Sequence, residues 1–241
     1  MDHSSEPLAA EALGFLERDS LLHMGMIDPI RRGTAEIRHA SPSGVLLHEQ
    51  QSGAIMLSSQ HYSEGCLWLE ALGRPALLCV HQKDFAEYIS MKYRYVNQLT
   101  CLQAVYGKTD YLPMSNDDIQ VVALQAKSAT EIHGHYHDYA DYTYIASRIA
   151  CGELFGGYLA GALCGFIGTH AEGTLGMLYV LPSYRRRGIA RMLESFMVNR
   201  ALKKGHTPYA QIDPTNEQSI SLHQSLGFTL SPNQLYWFFD V

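Results

Sequence analysis

The 241-residue chain lacks several features that would have placed it at once. It has no uncharged apolar run approaching the roughly 18–20 residues of a membrane-spanning helix. The longest candidate, Leu154 to Ile167, is interrupted by glycines and stops too early. Met1 to Pro7 is polar and acidic, with no basic stretch ahead of an apolar one, which argues against a secretory signal and for a cytoplasmic location. The five cysteines (Cys66, Cys79, Cys101, Cys151 and Cys164) are odd in number, scattered and never in CxxC spacing. Neither a disulfide framework nor a zinc ribbon is suggested, and buried free thiols are the expected reading. Basic residues are also few: 18 Lys plus Arg stand against 24 Asp plus Glu, a formal charge of −6. That balance excludes the charge excess by which nucleic-acid binders gain affinity.

Hydrophobic residues make up 46% of the chain and charged residues 17%, enough to bury a sizeable core and to exclude disorder as the dominant state. Periodicity predicts a helix from about Glu11 to Ile30 and strands at Ala35–Arg38, Val45–His48 and Ala54–Ser58. A helix near Leu67–Leu72, a buried strand at Ala76–Val80, a helix from Asp84 to Tyr93 and a strand at Gln98–Val105 follow. Tyr106–Asp118 collects Gly, Pro, Ser, Asn and Asp, and the domain boundary is placed there, giving domains 1–113 and 114–241.

The second half opens with a strand at Ile119–Leu124 and a helical region from Ala129 to Ala150, interrupted near Gly134. Strand runs follow around Gly156–Gly168 and Leu175–Val180. From Gly188 to Lys204, Ile189, Met192, Leu193, Phe196 and Met197 repeat at the 3–4 spacing of one buried helix face, and Gly205 ends that helix. A strand at Tyr209–Ile212, a helix at Glu217–Leu226 and a strand at Leu235–Phe239 complete an α/β chain. Both halves share a strand–helix mixture, compatible with a diverged duplication.

The chemistry concentrates in Leu178 to Arg191, LYVLPSYRRRGIAR. A strand ending at Val180, a break at Pro182 and a helix beginning at Gly188 would aim unpaired backbone N–H groups and the positive end of a helix dipole at one spot. Such a spot suits a phosphate, and flanking arginines add charge-assisted hydrogen bonds. A bare strand–turn–helix corner with solvated arginines explains the same residues about equally well.

Arg185, Arg186, Arg187, Gly188, Ile189 and Ala190 fit R-x-x-G-x-A, LYVLP precedes them, and Asn216 to Phe228 (NEQSISLHQSLGF) follows. In that order and spacing these elements resemble the GCN5-related N-acetyltransferase (GNAT) superfamily over roughly Ile119 to Val241. LPSYRRRG, Ser219 and the Leu222–His223 pair bear a narrower likeness to the FR47-like and glycine N-acyltransferase group. The resemblance implies a GNAT fold, a mixed central sheet flanked by helices, in the C-terminal half. The smaller α/β N-terminal half would be a degenerate GNAT-like domain without its own pyrophosphate loop.

The implied activity is acyl transfer from acetyl-CoA, or another acyl-CoA, to a primary amine of a small molecule or amino acid. A protein or peptide acceptor and an inactive acyl-CoA-binding module are the alternatives. By resemblance, Leu178, Tyr179 and Val180 would offer backbone to the pantetheine arm, and N–H groups from Arg186 to Arg191 would hold the pyrophosphate, with Arg185 entering the loop. The arm would enter a gap splayed between the next two strands, where Asn216 would bond it. Ser219 could touch it or assist a water.

His223 occupies the position of the family's frequent tyrosine acid; a packing role is the alternative. The family's strand carboxylate is missing: Thr174 and Gly176 stand at the matching positions. Glu172, two residues earlier, would share the face of Thr174 if the strand extended that far, or lie exposed in a turn. A water chain is the other route to a free amine, so the base stays unassigned.

The run Ile132–Tyr144 alternates His133, His135 and His137 and adds Asp138 and Asp141, a three-imidazole face on a strand but not on a helix. No metal is therefore expected. By resemblance the same run would wall the acceptor pocket, with Tyr136, Tyr139, Tyr142 and Tyr144 as lining and Asp138 or Asp141 attracting a cationic amine. Packing explains each tyrosine equally well. The expected partner is a small-molecule amine acceptor, with nucleic acid and membrane excluded and a homodimer left open.

Overall fold

The computed structural model describes residues 5–114, 118–136 and 140–240. The chain divides into two compact units, and the division is discontinuous: Met1–Ala104, Gln211–Glu217 and Leu230–Val241 form one, Val105–Ala210 and Gln218–Thr229 the other. The contiguous halves expected from the loop at Tyr106–Asp118 differ from this in two ways. The division falls ahead of that loop, and the last strand belongs with the first unit. A hydrogen-bonded ladder joins segments far apart in sequence, which local turn chemistry cannot reveal.

The first unit begins with helices α1 (Ser5–Leu16) and α2 (Met24–Arg32), separated by a 3-10 turn at Glu17–Asp19. The single helix expected over Glu11–Ile30 is therefore two; Asp19 accepts the N–H of Leu22 at 3.1 Å and helps close the corner. Strands β1 (Ala35–Ser41), β2 (Gly44–Glu49) and β3 (Ile55–Ser59) form an antiparallel meander. Helix α3 (Tyr62–Leu72) then crosses to β4 (Leu77–Val80), parallel to β3. Helix α4 (Lys83–Lys92) and strand β5 (Asn97–Val105) follow. Leu57, Leu69, Leu78, Phe85, Ile89 and Phe238 pack as this unit's core.

In the second unit come β6 (Ile119–Ala123), α5 (Ala129–Tyr136), α6 (Tyr142–Ala150), β7 (Leu154–Leu159), β8 (Ala162–Thr169) and β9 (Leu175–Val180). Helix α7 (Ile189–Lys203) follows; strand β10 (Tyr209–Ile212) and helix α8 (Glu217–Leu226) come next, with Gln211–Glu217 counted in the first unit. The last strand, β11 (Thr229–Phe239), pairs antiparallel with β4. The run read as one strand around Gly156–Gly168 is a hairpin. Ala160 (φ 48°) and Gly161 (φ 80°) take the left-handed conformation that a tight two-residue connection demands.

Strands β6 to β9 are antiparallel neighbours, and β10 runs parallel to β9. The alternation at Gly156 and Gly157 separates two helical layers. A Cβ on Gly156 would strike Leu124 and Leu163, whereas one on Gly157 would lie 3.1 Å from Leu193 of α7. Gly165 likewise leaves room for Leu193, at 3.2 Å. These glycines let α7 seat closely on one sheet face, while Ile132, Ile145 and Ile149 of α5 and α6 pack with Phe166 and Met177 on the other. The helical region expected over Ala129–Ala150 with an interruption near Gly134 is two helices: α5 runs through Gly134 to Tyr136, and α6 begins at Tyr142.

Candidate active site

The end of β9 is irregular for a physical reason. The β8–β9 register slips by one residue between Phe166 and Gly168, and Met177 sits in the bulge at φ 54°, a conformation costing a non-glycine residue of order 1 kcal/mol. Beyond the bulge, Tyr179 and Val180 keep their pairing with Phe166 and Gly165 of β8. On its other edge β9 meets β10 at Leu175 and Ala210. Among the described residues no strand pairs with that edge at Leu178–Val180.

From Val180 the chain makes a 3-10 turn at Pro182–Tyr184 and reaches α7 through two left-handed residues, Arg186 (φ 63°) and Gly188 (φ 76°). Gly188 is the N-cap of this 15-residue helix and supplies no side-chain acceptor. The first helical return bond runs from the Met192 N–H to the Gly188 carbonyl at 3.0 Å. Among the described residues the N–H groups of Arg186 to Arg191 take no backbone acceptor. They present a run of donors at the positive end of the helix. A Cβ on Gly188 would meet nothing within 4 Å, so the space over this turn is open.

The arginines are held differently from one another. Arg185 donates to the Val180 carbonyl at 3.2 Å and lies over the Tyr179 ring. Arg187 lies over Tyr184. Arg191 is tied to α8 through Ser225, at 2.7 Å to Oγ. Arg185, Arg186 and Arg187 are exposed, whereas Ile189 is buried and anchors the helix start. Open space, unmatched donors and exposed cations at one corner fit a diphosphate.

The turn from β8 to β9 carries a cluster that the sequence reading missed. The hydroxyl of Tyr144 on α6 lies 2.9 Å from Nδ1 of His170 and accepts the N–H of Ala171 at 3.3 Å. The His170 ring covers Gly176: a Cβ there would sit 2.7 Å from both Cδ2 and Nε2. The strand position that lacks a carboxylate is therefore filled by an imidazole delivered from the turn. Burial lowers the His170 pKa, and the nearby Glu172 carboxylate raises it in opposition. Burial raises the Tyr144 phenol, and Glu172 adds to the rise. The one available sequence signal was a histidine two positions ahead of Glu172, where the β8 strand gives way to its turn.

Glu172 lies in the turn rather than on β9, half-buried. Its carboxylate accepts the Thr174 hydroxyl, and its carbonyl accepts the Tyr209 hydroxyl at 2.9 Å. Thr174 itself is 2% exposed.

His223 is 3% exposed, and both ring nitrogens face protein. Nδ1 donates to the Ser219 carbonyl at 2.8 Å, with the Ser219 hydroxyl at 3.4 Å. Nε2 faces the Glu194 carboxylate of α7 at 3.5 Å. Glu194 is a second residue the sequence did not advertise, since it lies on the apolar face of an otherwise ordinary helix. Burial raises its pKa, and His223 offsets part of that rise. Asn216 is exposed in the turn before α8, within the first unit, and its N–H donates to the Asp213 carbonyl at 2.9 Å.

Of the tyrosine-rich wall, Tyr144 joins the His170 cluster, Tyr136 packs edge-on to Phe166, and Tyr142 is exposed with its edge toward His133. Asp141 is engaged locally, through Oδ1. It caps α6, accepting from the Tyr144 N–H at 2.7 Å and the Thr143 hydroxyl at 2.8 Å. His133 and His135 lie on helix α5, which turns them to different faces, and His135 stacks on Tyr179. Among the described residues no three His, Cys, Asp or Glu side chains gather as a metal site. His137, Asp138 and Tyr139 lie outside the described residues.

Comparison with known proteins bears on the fold and on the second half of the chain. Residues 154–238 match the family model described as FR47-like protein. A stretch of 55 residues is 40% identical to the L-methionine sulfoximine/L-methionine sulfone acetyltransferase of Salmonella typhimurium, covering 22% of this chain and 32% of that enzyme. Among solved structures, a Drosophila protein superposes with a TM-score of 0.68 at 17% identity, over 99% of this chain and 97% of its own. A putative GNAT-family acetyltransferase from Novosphingobium aromaticivorans gives 0.54 at 14% identity over the whole of both chains. A GCN5-related N-acetyltransferase-like protein from Streptococcus suis gives 0.54 at 14%, over 95% of this chain and 99% of its own. No described helix is long and apolar enough to cross a membrane.

Proposed function

We propose that this member of the GCN5-related N-acetyltransferase superfamily, FR47-like over residues 154–238, moves an acetyl group from acetyl-CoA to the primary amine of a small molecule or amino acid. The observation that carries the reading is the turn into α7. Arg186 and Gly188 are both left-handed there, and the donors from Arg186 to Arg191 are unmatched above open space. The same features favour Arg185 and Arg187, both exposed, as cations for the phosphates. The unpaired edge of Leu178–Val180 suits an amide-bearing arm laid alongside it as an added strand. Bound acetyl-CoA supplies an activated thioester.

The chain's task is then to provide a neutral amine nitrogen. His170 is the base we assign: its depressed pKa keeps the imidazole neutral and able to accept a proton at neutral pH. The Tyr144 hydroxyl holds Nδ1, and Glu172 stabilises the imidazolium that forms. Glu172 thus acts through His170. Tyr142, at the exposed start of α6, is the acceptor-side contact we assign. His223, turned toward Glu194, positions α8 and with it Ser219; Asn216 precedes the same helix.

The amino-acid acceptor class rests on the Salmonella relative, whose named substrates are methionine derivatives, and no transmembrane helix among the described residues opposes a cytoplasmic location. Isothermal titration with acetyl-CoA, followed by free-thiol release over a panel of amino acids and amines, tests the reading. Saturable binding with turnover is expected. Absence of acetyl-CoA binding would overturn it, and binding without turnover on any amine would favour an inactive acyl-CoA-binding module.

A further inference from the structure

The first unit contains a cavity of about 500 Å³ that none of the chemistry above uses. Two buried histidines line it, His23 (5% exposed) and His81 (3%), with ring centroids 5.3 Å apart. Their hydrogen bonds determine their tautomers. His23 Nδ1 meets the Leu16 carbonyl at 3.1 Å and must donate, so Nε2 accepts the Ser58 hydroxyl at 2.8 Å. Ser58 in turn accepts the Gln82 amide at 2.8 Å, and Gln82 accepts the Ser59 N–H at 3.2 Å. Every group in that chain is matched.

His81 breaks the pattern. Its Nδ1 donates to the Leu57 carbonyl at 3.1 Å, which leaves a lone pair on Nε2. Among the described residues Nε2 has no partner, and the ring lines the cavity. Burial holds the His81 pKa down to about 3, with the neighbouring His23 adding to the fall, so the ring is neutral across the working pH range. A neutral acceptor at the floor of a cavity calls for a hydrogen-bond donor.

The rim carries the opposite demand. Arg18 and Lys83 line the cavity and are exposed, so they lie toward solvent from the histidines. Asp19 also lines it, but its Oδ1 is engaged by the Leu22 N–H. Lys83 also pairs with Glu87 at 3.4 Å, and Arg18 donates to the Pro42 carbonyl at 2.7 Å, so among the described residues Arg18 is the cation at the rim without a carboxylate partner and favours an anionic group over an ammonium. Phe15 and Tyr236 add apolar surface to the lining. We propose that this cavity binds a small hydroxycarboxylate, its hydroxyl donating to His81 Nε2 and its carboxylate held by Arg18 and Lys83. The site lies wholly in the first unit and does not depend on the acetyltransferase reading.

The test uses the full chain with histidine labelled by ¹⁵N. Lactate, 3-hydroxybutyrate, 4-hydroxybenzoate and 4-hydroxyphenylacetate are titrated, with benzoate and phenylacetate as controls lacking the hydroxyl and 4-hydroxybenzyl alcohol lacking the charge. At least one hydroxy acid is expected to bind with a Kd of about 1 mM or tighter. Binding should move the His81 Nε2 resonance upfield, and each control should bind at least about tenfold more weakly. His81→Phe should abolish binding. Should that variant fail to fold, the rim variant Arg18→Gln/Lys83→Gln, exposed on both sides, should weaken binding about tenfold or more. Absence of saturable binding by any hydroxy acid, or equal binding of the hydroxyl-free acids, overturns the proposal.

Discussion

The hydroxyl of Tyr144 and Nδ1 of His170 meet at 2.9 Å, joining helix α6 to the turn that delivers an imidazole over Gly176. This pairing supplies a titratable group where the strand offers only threonine and glycine. Since the base must be neutral, activity is expected to rise with pH through the His170 pKa, which burial sets below the ordinary 6.5. His170→Asn should lower the rate constant by roughly 10²–10⁴ and remove that acid limb. Tyr144→Phe should lose less and shift the limb. A pH profile of kcat/KM for the three proteins checks this, and an unchanged limb in His170→Asn would show that the base lies elsewhere.

Gly188 stands at φ 76° with open space above it, at the head of a helix whose first donors are unmatched. A carboxylate there would meet the same donors that a diphosphate would use. Gly188→Glu is expected to abolish acetyl-CoA binding in isothermal titration while the circular dichroism spectrum is retained. Undiminished affinity in a folded variant would sink the loop assignment.

Between α7 and α8, Glu194 and His223 form a buried pair. Burial raises the Glu194 pKa above its ordinary 4.5, so the folded state holds its proton to higher pH than the unfolded state. Stability should therefore fall as pH rises from about 4.5 toward the folded pKa and level off above it. Glu194→Gln should flatten this slope in urea titrations between pH 4.5 and 7. His223→Phe, which removes the imidazole that faces the buried Glu194 carboxyl at 3.5 Å, should lower stability with the turnover rate largely kept. A slowed rate in a stable His223→Phe protein would return the ring to the role of acid.

Asp141 caps α6 through the Tyr144 N–H and the Thr143 hydroxyl, which together hold its carboxylate below the ordinary 3.8. Its stabilisation is present above pH 3.8 and is lost as pH falls through the lowered value. Asp141→Ala should destabilise the protein modestly near neutrality, Asp141→Asn much less, since the amide oxygen still caps. Thermal melts of the two variants distinguish this from a ligand-binding role, in which the charge itself would matter.

Much was legible in the chain itself. The spacing of Ile189, Met192, Leu193 and Met197 determined a helix with one buried face, beginning at the glycine at 188, because these depend on neighbours a few residues away. The strand at Leu175–Val180 and the run of arginines before α7 were equally local. Only the tertiary structure decided what those elements face. Asp141, read with Asp138 as an attraction for an amine, caps α6 through its Oδ1; His223, read as an acid or a packing residue, turns its Nε2 to Glu194. The membership of β11 in the first unit, and the arrival of His170 over Gly176 beside Tyr144, depend on contacts between residues distant in sequence. Local pattern reports which face of an element is apolar. Which side chain from elsewhere fills a vacancy is set by ladder register and helix packing, through distances that have no signature along the chain.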